Sequence, residues 1–597
     1  MARTRDCRHG FIVLLLSLAA VPAMGQSFRV QCPTSTITHP ASIGSTVLNN
    51  SAEPAYTAPT TFTTATAGPA GSSNHGGYLV PSAHVNGAIK CQQISGGDGY
   101  ASMADGTQTY MFSFGPLSGI GAIATGQPGT QFPSVFNTPY GASAIPLAPG
   151  DPATRVVGAA DGAIPPGGSV PPLTTAQYTQ AATFYNGAIG LVPDLDNSNA
   201  IDGHVDPRQI MDVGVMNGNI PAPLMAIDED DEFFLTLTNV GMIMRPDLFE
   251  QHTVHFHGYP NASAFYDGVP DASVAINIGA SFTYYYLAPD AGTYFWHCHI
   301  TPPEHLQMGM VGQIYVRPRQ DRVAGGQPLY ASLQAQQADL RTACSSANDI
   351  LCSNPLPATN TGVTRDSTPY PAPALAVPVP PLKYAVNYAY NDGDGSTAYD
   401  VEYPIQIHGF DPNFHFVGMT FNPEGFADMK DKYFLLNGRS YPDTTTPGSL
   451  QTQSSDGVDH FSQPLPAIIN IPAGKKALLR ISDLDVSEYQ TLASLGIPMQ
   501  VIGYNAKLLR DQAGVNLYYA TNSITLGGGE SLDVILDACK VRSSTGSCTT
   551  PYSAGDTYYL YTPNLDHLSN DAENFGGLMT EIHICGSVDP TTKTCGA

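Results

Sequence analysis

The sequence predicts an all-β chain: two Greek-key β-barrels or sandwiches behind an irregular N-terminal extension. Three observations carry this. Only 13% of the 597 residues are charged while Gly (59) and Pro (50) abound, which disfavours long helices and suits short strands joined by turns. Apolar and polar residues alternate in segments such as "FFLTLTN" (233–239), the period of a half-buried strand. Two strand-rich blocks, 211–320 and 384–597, share an order of parts: "NG" with Pro, an Asp/Gly turn, a strand, then a late "GTYFW" or "DTYYL" strand. That order points to a duplicated β domain.

The elements follow in chain order. Residues 1–25 read as a signal peptide: a basic "MARTRDCRHG", an apolar "FIVLLLSLAAV", and Ala23 and Gly25 before a cut ahead of Gln26. The apolar run is too short to span a bilayer, so a secreted, periplasmic or surface protein is expected. Residues 26–210 are irregular and rich in Gly, Pro, Ser and Thr. Strand-like pieces such as "TYMFSFG" (109–115) assign part of this region to the first β domain, followed by an insertion. Residues 211–320 form the first sharp β block. Residues 321–383 read as a disulfide loop and a Pro-rich linker, "TPYPAPALAVPVPPLKY" (368–384). The second β block fills 384–597.

A net charge of −25 excludes a nucleic-acid partner, which needs clustered Lys and Arg. Ten cysteines include Cys7, in the signal, and Cys298. The remaining eight are an even set: Cys32, Cys91, Cys344, Cys352, Cys539, Cys548, Cys585 and Cys595. Pairing sequence neighbours gives four disulfides, which suits an oxidising compartment. Cys298 is left as the unpaired thiol.

Its neighbourhood is the strongest signal in the chain. "HTVHFHG" (252–258) and "WHCHITPPEHLQMGM" (296–310) hold six of the 16 histidines, with Cys298 and Met310. On strands, the period of two turns His255 and His257 to one face, with His297 and His299, and puts His252 and Cys298 on the other. The parity sorts the ligands into two metal sites joined by one peptide segment. His252, Cys298, His305 and a spaced Met310 make the two-imidazole, thiolate and thioether set of blue copper; the other site is four imidazoles. Zinc is the competing metal, disfavoured by the second site and the spaced Met.

These two stretches resemble the copper motifs of multicopper oxidases, which are built from cupredoxin domains. "FLLNGRSYPDT" and "INIPAGKKALLRIS" resemble that family's domain lacking type 1 copper. The resemblance implies a type 1 site of His252, Cys298, His305 and Met310 that takes electrons from a donor: a phenol, a metal ion or a redox protein. It implies a type 2 ligand in His255 and type 3 ligands in His257, His297 and His299, with His297, Cys298 and His299 carrying electrons onward to oxygen. The family's full trinuclear cluster takes four more histidines, as two His-x-His pairs from a facing domain of the same chain or of a neighbour in a homo-oligomer. Here "IQIHGFD" keeps His408 but has Gln406, and "TYYLYTPN" has Tyr561 and Pro563. His415, His567 and His583 have the wrong spacing, and His39, His75, His84 and His204 are isolated. Cys298 and His305 are also seven apart, two more than is usual in the oxidases, and the "TPPE" insertion resembles the loop of copper nitrite reductases. Three functions therefore stand: a copper oxidase with a modified cluster, a copper electron-transfer or reductase-like protein, and a non-catalytic copper-binding protein.

Two smaller signals remain. "DLDNSNAIDG" (194–203) begins like a calcium loop, but Val205 stands at the twelfth position; "DGDG" (392–395) is weaker. The acidic run Asp228–Glu232 reads as a solvated turn, with a cation-docking patch as the alternative.

Overall fold

The structure is a computed structural model that describes residues 33, 35–50, 52–64, 79–116, 218–242, 250–259, 263–278, 280–288, 290–339, 354–370, 382–417, 425–453, 459–590 and 592–596. The signal segment, the Asp-rich stretch 194–203, Cys32, Cys344, Cys352, His75, His204 and most of the Pro-rich linker lie outside these.

Among the described residues the first sandwich uses eight strands: β1 Ile89–Ser102, β2 Gln108–Pro116, β3 Met225–Asp228, β4 Glu232–Gly241, β5 His255–His257, β6 Ser281–Leu287, β7 Gly292–His297 and β8 Val311–Arg317. One sheet runs β6-β4-β1-β2 and the other β3-β8-β7-β5. The β4 alternation read from sequence sends Phe233, Leu235 and Leu237 into the core, each at most 1% exposed. Tyr284, Tyr286, Tyr294, Trp296, Phe112 and Phe114 meet them there. Aromatic and β-branched residues suit this pleated interior. Two of the strands, β1 and β2, come from the region ahead of residue 211.

The second sandwich has β9 Val401–Phe410, β10 Tyr433–Leu436, β11 Ile469–Pro472, β12 Lys476–Asp483, β13 Gln490–Leu495, β14 Met499–Tyr504, β15 Ser523–Leu526, β16 Ser531–Asp537, β17 Thr557–Tyr561 and β18 Met579–Cys585. Its sheets run β10-β9-β12-β16-β14, with short strands at the far edge, and β11-β18-β17-β13-β15. A separate core of Ile, Leu and Val fills it. The described residues are thus mostly strand, the bulk of them in two sandwiches. Among the described residues no helix is long and apolar enough to cross a membrane.

The two sandwiches meet through β7 and β8. The outward face of β7 sends Thr293 to Asp533 at 2.6 Å, and β8 sends the Gln313 amide to Gln406 Oε1 at 2.9 Å. Arg317 pairs with Glu402, which also receives Arg480 at 3.2 Å; Glu402 and Arg480 are both fully buried. Burial pushes the Glu402 carboxyl up, but the two guanidiniums outweigh it and hold it at about 2. Between the sandwiches, the helix Leu329–Gln336 buries Leu329 and Leu333, and Arg365 is enclosed beneath the Tyr384 ring at 4.2 Å.

One sequence expectation is overturned. The acidic run 228–232 is not a solvated turn: Glu229, Asp230, Asp231 and Glu232 are buried. Arg319 clamps Asp230 with two 2.7 Å bonds, Arg322 joins at 3.0 Å, and His39 bonds Glu232 at 2.7 Å. These partners stand some ninety residues after the run or, for His39, nearly two hundred before it. The "DGDG" turn is likewise internally satisfied: Asp392 accepts from Gly395, Thr397 and Gln320, and Asp394 pairs with Arg510 at 2.8 Å. Disulfides join Cys539 to Cys548 and Cys585 to Cys595, and Cys91 is disulfide-bonded. Cys298 is free and buried.

Candidate metal centre

The candidate ligands converge at one end of β5 and β7. Antiparallel pairing sets His255 opposite His297, Phe256 opposite Trp296, and His257 opposite Phe295. Phe256 and Trp296 enter the core, so the histidines face outward. Just upstream, His252 pairs with Ile276 through both backbone groups, at 3.1 and 2.9 Å. The Cys298 amide donates to the Met310 carbonyl at 3.0 Å, which brings Met310 beside the thiol.

The long spacing from Cys298 to His305 is taken up by α1, Pro302–Gln307. Thr301 enters it with a left-handed backbone, φ 37°, and Pro302 and Pro303 occupy first-turn positions that need no amide hydrogen. One helical turn then returns His305 to Cys298, with Nδ1 3.2 Å from Sγ.

His252, Cys298 and His305 are fully buried, with donor atoms within 4.8 Å of one another. Neither nitrogen of His252 has a hydrogen-bond partner. An unpartnered buried imidazole costs free energy unless something else occupies it. The space is also kept clear: a Cβ on Gly96 would stand 2.7 Å from His252 Cδ2 and 3.4 Å from Met310 Cε. The amide of Thr253 donates to Sγ at 3.4 Å. Burial raises the Cys298 thiol, but His305 and the backbone amides of Thr253 and Ile300 outweigh it and lower it. Burial lowers His305, yet the Cys298 thiolate and Glu250 lift it to about 9. Glu250 lies 3.6 Å from His305 Nε2 and is part exposed. Two imidazoles, a thiolate and a nearby thioether fit copper of the blue type.

The second set is more open. Ring centroids of His255, His257, His297 and His299 lie 5.2–5.8 Å from their neighbours in the set. His255 donates Nδ1–H to the Asp267 carbonyl at 2.7 Å, and His297 donates its own to the Cys298 carbonyl at 2.8 Å. Those bonds fix the tautomers and leave Nε2 free to ligate. The donor atoms of His255, His257 and His297 lie within 4.8 Å of one another, and His299 completes the ring cluster from the side. Burial lowers His257 to about 4 and His297 to about 3, so both are neutral ligands near pH 7. His257 and His297 line a cavity of about 580 Å³ whose far wall is the second sandwich.

Among the described residues, no histidine of the second sandwich lines that cavity. His408 is buried on β9 and its Nε2 donates to the Leu306 carbonyl at 3.0 Å, behind α1 rather than among the four imidazoles. Gln406 serves the domain interface. Tyr561 ends β17 and Pro563 is exposed beyond it. His415 stacks on Phe410, His567 on Phe434, and His583 pairs with Glu581. Gly96, Thr253 and Glu250, which shape the buried set, were not singled out in the sequence. Glu250 stands two residues before the first histidine motif and Thr253 lies within it, whereas Gly96 arrives from another sheet.

Comparison with known proteins finds related sequences for part of the chain. Residues 200–321 match the family model for multicopper oxidases. Laccase abr2 of Aspergillus fumigatus is 33% identical over 152 residues, 25% of this chain and 23% of the laccase. A copper-containing nitrite reductase of Rhizobium meliloti is 34% identical over 114 residues, 18% of this chain and 27% of the reductase. The chain spans about a quarter of the length of these curated relatives. A solved blue copper oxidase of Nitrosomonas europaea aligns with TM-score 0.38 at 20% identity, over 62% of this chain and 78% of that one. Residues 200–321 of this chain are thus similar to the multicopper oxidase domain.

Proposed function

We propose that the chain is a secreted or periplasmic copper-dependent oxidoreductase. It takes single electrons from a donor at the set of His252, Cys298, His305 and Met310, and delivers them to dioxygen at the set of His255, His257, His297 and His299. The observation that carries this reading is the buried His252 ring, both nitrogens unpartnered, grouped with the free Cys298 thiol that accepts from the Thr253 amide. Copper, when bound by these donors, supplies one-electron redox chemistry.

The chain's own residues supply the rest. The Thr253 amide steadies the Cys298 sulfur as an anion. The His305 edge, flanked by part-exposed Glu250, is the point at which a donor comes nearest the buried set. Cys298 is covalently continuous with His297 and His299, so a short bonded path joins the two sets. The Asp267 and Cys298 carbonyls hold the open imidazoles with Nε2 presented. Disulfides Cys539–Cys548 and Cys585–Cys595 suit an exported protein.

A second reading, a nitrite-reductase-like or electron-transfer protein with one blue and one imidazole-held copper, is favoured by the missing histidines on the far wall. Copper per chain with EPR, run beside oxygen consumption on a phenol and on Fe(II), separates them. Oxygen uptake coupled to donor oxidation supports the oxidase. Two coppers, one blue and one not, with no oxygen uptake would support the second reading. Absence of a thiolate–copper absorption after copper loading would sink both.

A further inference from the structure

The cavity between the sandwiches has walls of unlike chemistry. One carries His257 and His297; the other carries Asp485, Glu488 and Glu530, and among the described residues neither Lys nor Arg lines it. The carboxylates are held in place. Asp485 accepts from the amides of Ser487 and Glu488 at 2.8 and 3.2 Å and from Gln490 at 2.7 Å. Glu530 accepts from the Gly527 amide at 2.8 Å and from the Tyr504 hydroxyl. Glu488 faces His567 Nε2 at 3.1 Å, outside the lining. The 527–530 turn presses on the open set, where a Cβ on Gly529 would stand 3.4 Å from His257 Nε2. His297 is 5% exposed, and with Nδ1 engaged by a carbonyl its Nε2 is the atom left for whatever enters the cavity.

Three fixed negative charges on a concave wall set the potential throughout such a cavity. We propose that this wall selects the acceptor at the open imidazole set. It admits a small neutral molecule such as dioxygen and disfavours small anions such as nitrite or azide. Asp485, Glu488 and Glu530 are thus specificity residues, and the inference rests on the copper reading above.

The probe is azide, titrated into copper-loaded protein and followed by its charge-transfer absorption and the EPR of the non-blue copper. E488Q/E530Q, which spares the hydrogen-bonded Asp485 turn, should bind azide at least about threefold tighter than the wild type, with the thiolate–copper absorption unchanged. In the wild type, raising ionic strength should tighten azide binding by screening the wall. Equal azide affinity in the two proteins, with both kinds of copper present, would overturn the inference and leave the oxidoreductase reading standing. Should the variant not fold, the salt series decides alone, and affinity that is flat or falls with salt overturns the proposal. A wild type without thiolate–copper absorption would overturn the copper reading and this inference with it.

Discussion

The two donor sets share one peptide segment yet live in opposite environments. His252, Cys298 and His305 are sealed in the core of the first sandwich, while His257 is exposed and, with His297, borders a cavity. The strand period alone separates them: a single residue step from His297 to Cys298 crosses from the open face to the core. The lesson is that burial, not ligand count, divides the labour. The sealed set can hold a thiolate and exchange only electrons, and the open set can admit a small molecule.

Breaking the sealed set gives the largest expected effect. Cys298→Ser removes the one sulfur anion, so the thiolate–copper absorption should vanish and donor oxidation fall by more than about 100-fold, beyond what losing an outer hydrogen-bond partner costs. The non-blue EPR signal should persist. Loss of both signals together would show that the sets are not independent.

Copper uptake against pH sharpens the comparison. With His305 at about 9, above the ordinary 6.5, the metal-free sealed set holds a proton near pH 7 that copper must displace. Its affinity should therefore rise about tenfold per pH unit through neutrality and level off above about pH 9. His257 and His297, lowered to about 4 and about 3, add no such slope there. Competition with a chelator, read separately on the blue and non-blue signals, measures both curves. Parallel curves would contradict the ion pair between His305 and Cys298.

A smaller perturbation targets packing. Gly96→Ala places a methyl 2.7 Å from His252, which must shift. A cost of about 1–3 kcal/mol in a urea melt is expected, with an altered blue spectrum and an unchanged non-blue one.

The division between the sets was legible because it is local. "HTVHFHG" and "WHCH" lie on or beside paired strands, where parity is enough to sort side chains, and β5 and β7 pair in the register that parity requires. The two sandwiches were legible from alternation such as that of β4. Contacts spanning long separations left no local trace. β1, with Gly and Gln through its middle, does not alternate, yet it places Gly96 under His252. The run 228–232 looks solvated until Arg319 and Arg322 return to it. The carboxylates facing His257 and His297 come from turns about 190 residues or more further on, with nothing in "DLDVSEYQ" to announce a cavity wall.

The least severe change tests where the sealed set meets the donor. Glu250 is 28% exposed and lies 3.6 Å from His305 Nε2. The nearby His305 outweighs the modest effect of burial and lowers its carboxyl, so it is ionised at neutral pH. A part-exposed carboxylate interacts with a nearby charge by about 0.3–1 kcal/mol after solvent screening. Glu250→Gln should therefore raise KM for a cationic donor such as Fe(II) about two- to fivefold and leave KM for a neutral phenol nearly unchanged. The azide response of the open set should not move, because that set faces a different wall. A change in azide affinity would mean that Glu250 acts through the fold rather than at the donor edge. An equal loss for both donors would mean that it positions His305 rather than attracting the donor's charge.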